Sequence, residues 1–348
     1  MRTMSALVCA TLGAGLAACG AGGDQIAGAG SSAQAAAMEA WTAGFHRDHA
    51  DATVTYDPIG SGGGREQFAA GGIAFGGSDA ALEDVELEAA QQRCGGEDNL
   101  IEMPAYVSPI AIAYNLDGVD ALRLSPPTLA GMLKGEITRW DDPAIARTNP
   151  DVRLPAQRVT VVHRSDESGT TENLVDYLAS VAPRVWDFEV SGDWPVSGQE
   201  AAQGNAGVVD AIASGQGTIG YADASQVRDL GVASIQVGEE FVAPTPEAAA
   251  AILDASEQTD DPGRYVFTYD LARDTKRSGT YPIVLLSYEM ACTRYKSAED
   301  AALAKTFLGY VISEDGQALA SRAAGSAPIS NALRQDLQRA VDAIGPRF

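Results

Sequence analysis

Positive charge is what this chain has least of. Lysine is absent until Lys134, and residues 24–92 hold eleven acidic side chains against two basic ones, Arg47 and Arg65. Over 348 residues the formal net charge is −23. A surface of that sign repels polyanions, which excludes nucleic acid and argues against anionic lipid headgroups as partners. Histidine is scarce as well: His46, His49 and His163 are scattered, and with the few cysteines they offer no ligand spacing, so neither a metal nor another cofactor is expected. Aromatics make up 7% of the residues, and no internal repeat of solenoid length is visible. Long apolar runs are missing too. The uncharged stretch from residue 3 to 18 is shorter than the about 20 residues that cross a bilayer. What is abundant is glycine, 37 residues, within a composition that is 45% hydrophobic. That suffices for a buried core and excludes a disordered chain.

The N-terminus has the layout of a secretory signal: Arg2, a short apolar run, then small residues. The run Leu16-Ala17-Ala18-Cys19-Gly20 resembles a bacterial lipobox. It predicts removal of residues 1–18, lipidation of Cys19, a tether over 19–24 and an extracytoplasmic protein held on the membrane by its lipid; a plain signal peptide with an incidental Cys19 is the alternative. Two cysteines then remain in the body, Cys94 and Cys292. Outside the cytosol two thiols tend to pair, and two free buried cysteines are the other possibility.

Strand and helix signals alternate along the chain. Residues 25–30 read as a strand running into a glycine turn, and 31–48 as a helix with Ser31 and Ser32 as cap candidates and Met38, Trp41 and Phe45 on one stripe. Residues 53–56 form a short strand, followed by a glycine run and a helix from Arg65; 73–79 is a strand ending at an acid, with a helix expected over 80–92. Residues 110–114 and 159–163 read as buried strands, the second leading into a helix from Glu172. Strand–loop–helix repetition predicts an α/β fold with mainly parallel sheets, long enough for two lobes.

Four of these strand-to-helix loops carry glycine and hydroxyl residues: 28–32, 60–64, 76–79 and 165–171. In open α/β sheets ligands sit at such strand ends. A helix N-terminus offers free N–H groups, glycine admits close backbone approach, and serine and threonine add neutral donors. Together these suit a tetrahedral oxyanion, held by local dipoles against the global field. Arg164 is the basic residue within the set and can bind an oxyanion through two parallel hydrogen bonds, with Asp166 to orient it. Asp79 repels a fully ionised anion but accepts a hydrogen bond from a protonated one, as phosphate is and sulfate is not; the competing role is a cap on the helix after it.

These residues resemble the phosphate-binding proteins of bacterial phosphate ABC transporters, the PstS family. The resemblance runs from about Ile26 to the C-terminus and is strongest at His163-Arg-Ser-Asp-Glu-Ser-Gly-Thr-Thr171. Gly60-Ser-Gly, Phe75-Gly-Gly-Ser-Asp79, Gly131-Met-Leu-Lys-Gly-Glu-Ile-Thr-Arg-Trp-Asp-Asp-Pro143, Gly204-Asn-Ala-Gly-Val and Ile219-Gly-Tyr add to it. The resemblance implies a two-lobed, type II periplasmic-binding-protein-like fold with two crossover strands, lobe 1 taking 25–114 and 276–348 and lobe 2 taking 115–275. It implies a dehydrated inorganic phosphate in the cleft, permease subunits as partners, and a Cys94–Cys292 pair as in actinobacterial members. The phosphate ligands it implies are Ser32, Ala33, Ser61, Asp79, Arg164, Ser168, Gly169 and Thr170. The first loop departs from the family's Gly-Ala-Gly-(Ala/Ser)-Thr-Phe-Pro, reading Gly28-Ala29-Gly30-Ser31-Ser32-Ala33-Gln34.

Other functions compete with this one. Binding of sulfate, molybdate or arsenate is one; Asp79 disfavours the unprotonated ions but not arsenate. A hydrolase built on Ser168, His163 and Asp166 is another, opposed by the absence of a Gly-x-Ser-x-Gly elbow. The reading is therefore a binding protein and not an enzyme.

Overall fold

The computed structural model describes residues 24–259 and 263–347; the signal segment, Cys19 and most of the tether lie outside these residues. Strands β1 (Gln25–Gly30), β2 (Thr53–Asp57) and β3 (Phe75–Ser78) pair in parallel, with β1 central. Helices α1 (Ala35–Asp48), α2 (Ser61–Ala70) and α3 (Asp84–Cys94) follow them in turn. The expected stripe on α1 is the buried one: Met38, Trp41 and Phe45 face the core, and the Trp41 indole N–H donates to Gly316 O at 2.8 Å.

Strand β4 (Leu100–Asn115) then runs for 16 residues, 15 of them buried. Its buried polar groups and two prolines hide this length in the sequence, where only 110–114 stands out. Up to Pro109 it pairs with β14 (Val284–Cys292), and from Ile110 with β8 (Thr218–Asp223). The register slips between Ser287 and Tyr288, beside Pro104, as fits a residue that cannot donate to a ladder. One continuous strand thus belongs to two sheets.

The second sheet adds β6 (Thr160–Arg164) and β7 (Glu200–Ala202), parallel to each other and to β8. Between β4 and β6 lie β5 (Leu122–Leu124), α4 (Pro126–Lys134) and α5 (Pro143–Thr148). Helix α6 (Gly169–Val181) follows β6, and α7 (Gly204–Ser214) follows β7. Strand β9 (Gly231–Val237) joins β4, β5 and β10 (Glu240–Val242). After α8 (Pro246–Leu253), the two-residue β11 (Glu257–Gln258) and β13 (Tyr269–Asp270) pair with each other, and β12 (Tyr265–Val266) returns to β4. The chain ends in α9 (Ala298–Ile312), α10 (Glu314–Ala324) and α11 (Asn331–Asp342).

Each sheet has its own core. Trp41, Phe45, Phe68, Phe75 and Phe307 fill the first, and Tyr114, Trp140, Tyr177, Trp186 and Tyr221 the second. A buried side chain of this kind contributes about 1.5–3 kcal/mol or more. Cys94 at the end of α3 is bonded to Cys292 at the end of β14, 198 residues away, with Cα atoms 5.2 Å apart. The entropy removed from the unfolded chain by so long a loop corresponds to roughly 5 kcal/mol. Among the described residues no helix is long and apolar enough to cross a membrane.

Candidate functional site

Four strand ends converge between the two sheets. After β1, Ser31 does not open α1, which begins only at Ala35; instead its Oγ accepts from the Ala33 and Gln34 N–H groups at 3.1 and 3.4 Å. Its own proton goes across to Asp79 Oδ1, at 2.5 Å. After β2, Ser61 is the first residue of α2, four residues earlier than the expected start at Arg65, and its Oγ accepts from the Asp79 N–H at 3.1 Å. After β3 comes Asp79 itself, 2% exposed. It is not the cap of the next helix: α3 starts at Asp84 behind Glu83, so the competing role for Asp79 falls away.

After β6, Arg164 lies 2% exposed, its Nε and Nη2 on Asp166 Oδ1 and Oδ2 at 2.8 and 2.5 Å. This fork fixes the guanidinium and leaves Nη1 toward Thr170 Oγ1 at 3.4 Å. Asp166 in turn accepts from the Gly204 N–H at 3.1 Å. Ser168 caps α6, accepting from the Thr171 N–H at 3.3 Å, so the helix opens at Gly169, three residues before the expected Glu172. The N–H groups of Gly169 and Thr170 stand in its first turn, where helices lack internal acceptors. Gly169 also lets the two sides meet: a Cβ there would lie 2.8 Å from both Asp79 Cβ and Ser61 Oγ.

Ser32, Ser61, Asp79, Arg164, Gly169 and Thr170 are therefore drawn into one buried cluster, with Ser168 capping the helix beneath it. Thr170 Oγ1 donates to Asp79 Oδ2 at 3.3 Å. The Ala33 N–H is directed at Ser31 Oγ. Sequence reasoning missed four members. Ser31 was read as a cap but is a donor to Asp79. Ser287 donates to Asp79 Oδ1 at 2.7 Å and comes from β14, outside any glycine loop. Asn173 Nδ2 donates to Asp79 O at 2.7 Å. Asn205 donates from its backbone and its side chain to Ser32 Oγ at 3.2 and 3.1 Å, and accepts from the Asp223 N–H at 2.8 Å. The Gly204-Asn-Ala-Gly run at the start of α7 was a signal for this last residue.

Burial pushes the Asp79 carboxyl up, while hydrogen bonds from Ser31 and Ser287 and the charge of Arg164 restrain the rise. For Asp166 burial also acts upward, but the Arg164 fork outweighs it and holds this carboxyl below its usual range. The serine-hydrolase arrangement does not form: His163 Nδ1 is paired with Arg164 O at 2.8 Å, its ring is stacked on Trp194, and Ser168 Oγ is the helix cap. Among the described residues there is no acidic, histidine or cysteine cluster able to hold a metal.

Arg65 clasps the two sides beside this cluster. It is 5% exposed, donates to Ser78 Oγ at 3.0 Å and pairs with Glu167 at 2.7 Å, Glu86 at 2.8 Å and Glu172 at 3.8 Å. Burial raises Glu172 from 4.5 to about 7, with Arg65 opposing the rise and Glu167, Glu83 and Glu86 adding to it. A carboxyl whose folded pKa exceeds its unfolded value binds more protons in the folded state between the two. Its contribution is therefore most favourable below pH 4.5 and is lost as pH rises through about 7. Glu172→Gln is expected to flatten that fall in stability, measured by urea unfolding at pH 5 and pH 8. An equal fall in variant and wild type would show that Glu172 is not its source.

Residues 17–315 match the model of the PBP superfamily domain. The phosphate-binding protein PstS3 of Mycobacterium bovis (strain BCG / Pasteur 1173P2) is 35% identical over 330 residues, covering 94% of this chain and 88% of that one. PstS 3 of Mycobacterium leprae (strain TN) is 35% identical over 339 residues, 95% and 89% of the two chains. In structure, a high-affinity periplasmic phosphate-binding protein (PfluDING) solved with phosphate bound at pH 8.5 superposes with a TM-score of 0.73 at 22% identity, over 91% of this chain and 93% of that one. That likeness establishes the two-lobed periplasmic-binding-protein architecture, and the mycobacterial relatives establish the family: the chain belongs to the PstS family of phosphate-binding proteins.

Proposed function

We propose that this protein captures inorganic phosphate in the cleft between its lobes and delivers it to the permease subunits of an ABC transporter. The observation that carries the reading is Asp79, a buried carboxylate set in the middle of an oxyanion-binding set of donors. Beside it an anion is tolerable only if it brings a proton to share. Phosphate meets that condition near neutral pH and sulfate does not; arsenate, which protonates as phosphate does, passes the same filter. The ligand set is Ser32, Ala33, Ser61, Asp79, Arg164, Ser168, Gly169 and Thr170, with Asp166 supporting Arg164 and Asn205 fastening the second lobe to Ser32. The lobes are 25–114 with 276–348, and 115–275, joined through β4 and the segment entering β14. The chain binds and does not turn over its ligand, and needs no cofactor. The names of the mycobacterial relatives support the same ligand.

The protein works outside the cytoplasm, with residues 1–18 removed, Cys19 lipidated and 19–24 as a tether to the membrane. Cys19→Ser should move it from the membrane to the soluble fraction and lower its mass by the lipid; unchanged mass and fractionation would refute the anchor.

Calorimetric titration is expected to show phosphate binding at one site per chain. Arg164→Met removes the guanidinium that faces Thr170. Hydrogen bonds to charged groups contribute about 1.5–3 kcal/mol, so phosphate binding should weaken about tenfold or more. No phosphate binding by the wild type would end the proposal, and an Arg164→Met variant of unaltered affinity would remove Arg164 from the site.

A further inference from the structure

Glu289 is the buried acid that the account above leaves unused. It lies on β14, two residues beyond Ser287, fully buried, and neither of its carboxyl oxygens has a hydrogen-bond partner. Its cross-strand partner on β3 is Gly77. A Cβ at Gly77 would lie 1.9 Å from Gln34 Nε2 and 2.4 Å from the Tyr56 oxygen. The Gln34 carboxamide and the Tyr56 phenol thus fill the space beside Glu289 that a side chain at Gly77 would occupy. Gln34 is fully buried as well, and its Oε1 also lacks a partner. Its Nε2 donates to the Tyr56 oxygen at 3.2 Å, Tyr56 donates to Ser31 O at 3.1 Å, and Ser31 Oγ donates to Asp79.

Gln34 packs beside Glu289 and leaves its own amide oxygen without a partner, and unpartnered acceptors in a dry interior are satisfied when the carboxyl carries a proton. The groups that act on Glu289 point the same way except for Gln34, whose hydrogen bond favours the charged form. Burial, then the charge of Asp79, push its carboxyl well above the usual range, with Gln34 opposing. Tyr56, the other titratable group packed here, is itself pushed up by burial and by Glu289, Asp79 and Asp57.

We propose that Glu289 is carried as the neutral acid and is a positioning residue for the anion site: its O–H donates to Gln34 Oε1, fixing Tyr56 and, through it, Ser31 against Asp79. The neutral form also spares Asp79 a second carboxylate behind it. An ionised Glu289 would drive Asp79 toward its own protonated form, turning the acceptor that rejects sulfate into a donor that welcomes it. This inference deepens the phosphate reading and rests on it.

The test has a spectroscopic arm and a binding arm. Infrared difference spectra of full-chain wild type against Glu289→Gln at pH 7 should contain the carbonyl band of one protonated carboxylic acid, lost in the variant; a carboxylate pair of bands there would overturn the proposal. This arm needs no phosphate binding, so it decides the protonation state even if the functional reading fails. In titrations with inorganic phosphate, Glu289→Leu should weaken binding about tenfold and let sulfate compete, as expected for loss of a buried hydrogen bond that orders the site. Glu289→Gln, whose amide can donate to Gln34 Oε1, should restore both properties to within about threefold of wild type. Full affinity and sulfate rejection in Glu289→Leu, or failure of Glu289→Gln to restore them, would contradict the positioning role.

Discussion

A buried carboxylate, Asp79, at the meeting point of four strand ends is the constraint on which the rest of this structure depends. Asp79 is held by hydroxyls from three directions: Ser31 from the β1 loop, Ser287 from β14 and Thr170 from α6. Each of those donors offsets part of the cost of burying the charge. None is a cation, so the carboxylate is fixed in place without being neutralised. The positive partner, Arg164, is occupied along one edge by Asp166. Asp79 and Asp166 against Arg164 leave the cluster with no net positive charge, so under the proposed function hydroxyls and helix N-terminal N–H groups have to hold the anion within a chain of net charge −23.

The architecture serves that site. β4 is shared by both sheets, so the first three strand-end loops and the loop after β6 meet across one strand. The helices after β2 and β6 direct their N-terminal turns inward. Gly169 removes the side chain that would hold the two faces apart. Arg65, through Glu167, and Asn205, through Ser32, fasten them around the Asp79 cluster. Arg273 does the same at the back, donating to Asn173, to Asp176 at 2.8 Å and to Pro282 O and Val284 O at 3.1 Å each.

Much of this was legible before the structure. The four glycine–hydroxyl loops, Arg164 with Asp166, and Asp79 were read from residue chemistry at strand ends, where the local sequence carries the function. The stripe on α1 was read from its period. Helix starts were less legible. Ser31 resembles a cap in sequence, yet its hydroxyl is spent on Asp79, and only tertiary structure decides that competition. The length of β4 was hidden because Glu102, Pro104, Ser108 and Pro109 interrupt its apolar run, although all four are buried. Ser287 and Glu289 lie on a central strand with no motif around them, and more than two hundred residues of chain separate each from the loop it serves. No local pattern encodes such a meeting.

The central claim is that Asp79 selects the anion by its proton. The direct measurement is phosphate binding by wild type and by Asp79→Asn at fixed pH and salt, with rising sulfate. Asparagine can accept from phosphate through Oδ1 or, turned over, donate to sulfate through Nδ2. The account predicts that wild type ignores sulfate while Asp79→Asn is inhibited by it, with phosphate affinity changed less than sulfate exclusion. Equal rejection of sulfate by both proteins would contradict it and leave selectivity to the shape of the cleft.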